Sequence, residues 1–79
     1  MLAAQIGTES ARVALLAYLS RQGSTGQREF EIVDLVADLL HLARDEGIDP
    51  ETVTARAELH YRAELAFAEL AAPESRAAY

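Results

Sequence analysis

The chain contains no cysteine, no lysine and no tryptophan, and only two prolines and five Phe or Tyr residues among its 79. Without cysteine there can be no disulfide framework, no thiolate metal ligand and no cysteine nucleophile, and a reducing compartment suits the composition. No stretch approaches the ~20 apolar residues of a membrane span. The opening MLAAQIGTES lacks a basic leader followed by a long apolar run. The expectation is a soluble, cytoplasmic protein with no membrane partner. The use of arginine without lysine is attributed to a GC-rich coding sequence.

Positive charge is scarce as well. Seven Arg face 13 Asp and Glu, the net charge is −6, and no Arg cluster occurs. Binding a phosphate backbone requires basic residues that displace counterions, so direct nucleic-acid binding is not expected. The same imbalance suits a basic protein or nucleoprotein complex, because complementary fields speed and orient encounter.

What is abundant is alanine. The apolar fraction is 51%, but 16 of those residues are Ala, which favours helix strongly and adds little burial. A chain of this length is one domain, 1–79, near the lower limit for a core without disulfide or metal support. A partner that hides more apolar surface, including a second copy, is compatible with so small a core.

No segment alternates with period two, whereas three segments carry helical spacing. The fold class is all-α, a small three-helix bundle. The first helix is expected over about 9–21, with Thr8 as N-cap, Glu9 in its first turn, and Val13, Leu15, Leu16, Tyr18 and Leu19 among its apolar residues. Leu2 to Ile6 reads either as an extra turn broken by Gly7 or as a short arm. RQGSTGQ then predicts a helix end near Gly23 and a flexible connection.

The second helix is expected over 28–46. Phe30, Ile32, Val33, Leu35, Val36, Leu39, Leu40 and Ala43 occupy much of its circumference, so it should be central and covered from two sides. Gly47 is its natural C-cap. In GIDPET, Asp49 can cap a third helix, Pro50 fits its first position and Glu51 faces the positive end of the dipole. That helix is expected over 50–72, stopped by Pro73, with 73–79 as a loosely held tail. Its seam of Leu59, Ala63, Ala66 and Leu70 would let another helix approach closely, from this chain or a second copy. Tyr61, Leu65 and Ala68 make a second stripe.

The candidate site is a comb on the second helix. Glu31, Asp34, Asp38, His41 and Asp45 follow one another at steps of 3, 4, 3 and 4, which keeps side chains on one face. Like charges at that spacing cost a few tenths of a kcal/mol per pair, and only Arg28 and Arg44 are near enough to relieve them. The plainest reading is a solvated face. A second is a divalent cation site, to which Glu31, Asp34 and Asp38, with His41 three residues on, could contribute oxygen and nitrogen ligands. One helix cannot encircle an ion, so further ligands would come from Glu58, His60 or Glu64, or from a second subunit. A third is a docking face for a basic protein groove. His41 suits a solvated residue beside Asp38 or Asp45, and His60 a surface pair with Glu64. Tyr18, Tyr61 and Phe67 suit core or subunit contacts better than base stacking. No Ser, His and Asp arrangement suggests acyl transfer, and GSTG lacks the Lys and strand of a phosphate-binding loop.

Two resemblances bear on this choice. FEIVDLVADLLHLARDEGID resembles the second half of MazG-type nucleoside triphosphate pyrophosphohydrolases, helical enzymes that pair an ExxE motif with a later ExxD to hold magnesium. Glu31 and Asp34 stand at the ExxD. The likeness covers 20 of 79 residues, and the earlier motif has no counterpart, because Glu9 is followed three places later by Arg12. Residues 30–64 are also similar to small acidic helical proteins of phages and integrated mobile elements, in which DLxxDLLH is followed by a glycine and then by HY near a Glu. Here those are Asp34 to His41, Gly47, and His60 with Tyr61. This second resemblance implies an interaction protein, an inhibitor of a host defence complex of the anti-CRISPR kind, rather than a catalyst. The sequence thus favours a non-enzymatic acidic module, without cofactor or catalytic residues, that docks through Glu31, Asp34, Asp38, His41 and Asp45. The alternative is a magnesium-dependent pyrophosphohydrolase or a degenerate relative of one.

Overall fold

The computed structural model describes residues 7–70, which form three helices: α1 (Thr8–Gln22), α2 (Arg28–Asp45) and α3 (Pro50–Leu70). Among the described residues there is no strand. The chain is an all-α three-helix bundle in which α2 takes the middle place and packs against both neighbours, while α1 and α3 scarcely meet. Residues 2–6, for which an extra turn and a short arm both stood open, the last two residues of the expected third helix and the tail at 73–79 lie outside the described residues.

Local chemistry explains the boundaries. Gly47 adopts φ 79, its N–H donates to the Arg44 carbonyl, and the Ile48 N–H reaches back to Ala43 at 2.8 Å. This is the paired closure of a helix end that a left-handed residue permits, and glycine takes that conformation without Cβ strain. Two residues after Gly47, the Asp49 carboxylate accepts from the Thr52 N–H at 3.2 Å and from its hydroxyl at 2.7 Å, capping α3 as its spacing predicts. The Thr52 hydroxyl foremost holds the Asp49 carboxyl below its ordinary value.

At the start of α1 the expectation fails. Thr8 is the first helical residue rather than the cap; Gly7 takes that place, and its carbonyl accepts from the Ala11 N–H at 2.8 Å with no side-chain cap. Glycine is tolerated at an N-cap, so the helix begins one residue early.

Burial departs further from expectation. Only Leu15 and Ala43 are buried apolar residues among those described. Leu35, Leu40, Tyr18 and Leu19 are half-buried, but Phe30, Val33, Val36 and Leu39 on α2 remain widely exposed, and α3 buries nothing. The helix expected to be covered from two sides is central in position only. Its neighbours are rich in alanine, with Ala11, Ala14 and Ala17 on α1 and Ala55, Ala57, Ala63, Ala66 and Ala68 on α3, and a methyl group removes little surface from water.

Leu15 therefore carries the contact between α1 and α2. Leu15→Ala should lower stability by about 2–4 kcal/mol, within the usual range for truncating a buried leucine. Urea unfolding followed by far-UV circular dichroism measures this, and an unchanged midpoint would remove Leu15 from that role.

Candidate functional site

The five residues of the comb do not share one environment. Glu31, expected on a docking face, is 2% exposed. Its Oε2 accepts from the Ser24 hydroxyl at 2.6 Å, the Thr25 N–H at 3.0 Å and the Gly26 N–H at 3.2 Å. Its Oε1 lies 3.1 Å from the Arg28 Nε. A buried carboxylate is tolerable only when its oxygens are filled in this way. Here they are filled by the connection that the sequence predicts to be flexible. Gly26 at φ 82 turns its N–H toward the carboxylate in a conformation that disfavours a Cβ. Residues 24–26 are thus pinned to the first turn of α2. The Ser24 hydroxyl foremost, then the two backbone N–H groups and Arg28, hold the Glu31 carboxyl below its ordinary value of 4.5 against the opposing effect of burial.

Asp38, two turns along, accepts a 2.5 Å hydrogen bond from the Tyr18 hydroxyl on α1. The bond stabilises the neutral phenol beside an anion, which pushes the Tyr18 pKa up to about 12. Tyr18, assigned to packing by its place on an apolar face, is also a polar tether. Asp34, His41 and Asp45 are exposed. Asp34, Asp38 and Asp45 form no ion pair among the described residues, and Arg44, which could relieve the comb, forms none either. On α3, Glu58 pairs with Arg62 at 2.7 Å.

This arrangement bears directly on magnesium. Glu31 has both oxygens engaged by protein donors and Asp38 has one. Among the described residues no three His, Asp or Glu side chains gather where an ion could be held. The donor set of Glu31, Asp34 and Asp38 does not fit a magnesium site within one copy of the chain. No helix among the described residues is long and apolar enough to cross a membrane.

On the opposite side of α2 lies a feature that reading the comb overlooked. A groove of about 440 Å³ between α1 and α2 is lined by Leu15, Ile32, Leu35, Val36 and Leu39, with Arg12 and Arg28 at its edge. The signal was present in the breadth of the apolar face on α2, which exceeds what one alanine-rich helix can cover. Compared with known proteins, the chain matches no family model, no curated protein and no solved structure.

The loop lock has a pH signature. Because the folded Glu31 pKa lies below the unfolded value, its ionised form stabilises the fold fully above pH 4.5, and that contribution is lost as pH falls through the folded value. Glu31→Gln should lower the melting temperature at pH 7 by roughly 5 °C or more and give a shallower loss in acid, with Asp49 supplying the remainder. A variant that melts like the parent at both pH values would overturn the lock. The Tyr18 bond is read by ultraviolet titration: one of the tyrosines should ionise near pH 12, and Tyr18→Phe should remove that late step.

Proposed function

We propose that this chain is a non-enzymatic, acidic protein-binding module. It docks on a basic surface of a protein or nucleoprotein complex, in the manner of the small helical inhibitors that mobile elements direct at host defence systems. The observation that carries the reading is the exposure of Asp34 and Asp45 on one ridge of α2, with His41 between them and no ion pair to either. Asp38 adds a carboxylate that is half committed to Tyr18. Glu31 is assigned a structural role and leaves the docking set.

Two physical considerations support this assignment. Uncompensated carboxylates on a helix repel one another by a few tenths of a kcal/mol per pair, a cost that a cationic partner would convert into attraction. A net charge of −6 on 79 residues also steers basic partners over a range set by ionic strength. The resemblance of residues 30–64 to acidic proteins of mobile elements points the same way.

The test is capture of a partner from the source cell by a tagged copy, followed by kinetics with the purified partner. Asp34→Lys with Asp45→Lys should weaken binding about tenfold or more, and raising salt from 50 to 500 mM should slow association by about as much while dissociation changes less. Glu31 stays intact in this variant, so loss of binding cannot come from loss of the loop lock. Capture indifferent to both changes would overturn the reading.

A further inference from the structure

Within the described residues the bundle lacks its third wall. The groove between α1 and α2 is where a third helix of a closed bundle would rest, yet α1 and α3 scarcely meet, and α3 has no buried residue. Fourteen large apolar side chains, six of them on α3, counting Ile48 at its threshold, are each at least 42% exposed. At about half a side chain apiece they leave on the order of 1,000 Å² of apolar surface uncovered, more than the ~800 Å² that each partner contributes to an ordinary stable interface. Of these side chains, Ile32, Val36 and Leu39 line the groove and Leu59 and Leu70 belong to the seam of α3.

We propose that the groove between α1 and α2 receives the Leu59, Ala63, Ala66 and Leu70 seam of α3 from a second copy, and that the exchange is reciprocal, giving a two-fold dimer. Three observations select this occupant. The cover is needed for folding itself, because Leu15 and Ala43 alone make too small a core. A second copy is present wherever the chain is made. The seam is narrow, since Ala63 and Ala66 allow a helix backbone to come close, and its Leu59 and Leu70 are 66% and 76% exposed. Arg12 and Arg28 line the groove as well but are already paired with Glu9 and Glu31, so the apolar fit and not charge decides the contact. A two-fold interface of this kind is closed, so it ends at two copies. The inference stands apart from the docking ridge, which lies on the other side of α2.

Sedimentation equilibrium of the full chain should give twice its 8.6 kDa mass at micromolar concentration. Added salt should hold or tighten the dimer, because like-charged copies are screened from each other. Leu39→Asp in the groove should weaken dimerisation about tenfold or more. The register is tested separately by disulfide trapping, which the absence of native cysteine makes unambiguous. Val36→Cys copies mixed with Ala66→Cys copies should form a covalent heterodimer on mild oxidation. A single-chain mass at every concentration overturns the dimer. Crosslinks confined to pairs of Ala66→Cys copies overturn the seating of α3 in the groove.

Discussion

The fold depends on one buried carboxylate. Glu31 collects a hydroxyl, two backbone N–H groups and a guanidinium, which turns a five-residue connection with two left-handed glycines into a fixed path. Without those bonds, Gly23 and Gly26 would leave α1 free to swing against α2, since α1 offers only one buried apolar side chain to resist it. The Tyr18 to Asp38 bond supplies a second tether two turns along. Both tethers end on carboxylates of α2. Polar contacts therefore join the two helices alongside the buried Leu15.

That finding divides the comb. An ideal helix drifts by about 20° per seven residues, so Glu31, Asp38 and Asp45 form one row that lies about 60°, 40° and 20° around the axis from Asp34, and Asp34 with His41 forms another. The first row leans toward α1 where α1 is present, which is why Glu31 is engulfed and Asp38 bonded while Asp45, beyond its reach, stays exposed. The second row faces solvent throughout. Spacing of 3 and 4 places residues on one face, but it does not resolve a difference of one sixth of a turn, and here that difference separates a structural residue from a surface one.

Element order and most boundaries were legible because their causes are local. Gly47, Asp49 and Pro50 act through their own backbone chemistry and appear where their residue types predict. Thr8 did not cap because a neighbouring glycine could do so equally well, a near-degenerate choice that sequence does not resolve. The role of Glu31 was harder to see. Its position after a Ser-Thr-Gly turn is one step outside the usual reciprocal capping pattern, and its donors in the connection lie five to seven residues before it. Burial was misjudged for another reason. Apolar pattern identifies a face, whereas coverage depends on the size of whatever opposes it, and alanine faces oppose weakly.

A basic partner on the ridge and a second copy in the groove would respond to salt in opposite directions, which would give the two faces of α2 different tasks. Around the helix, the groove residues Ile32, Leu35, Val36 and Leu39 lie roughly 100–200° from Asp34. Anything seated in the groove therefore leaves the ridge in water. A second copy in that position would bring two ridges onto one particle of twice the charge of −6, at a separation fixed by the symmetry axis. A basic partner able to span both would bind with the gain that linked sites confer, without any new contact. The weak core and the uncompensated charge would then be parts of one arrangement: apolar surface left over by alanine-rich helices would join the copies, and repulsion among the exposed carboxylates would keep the outward faces of α2 from joining as well.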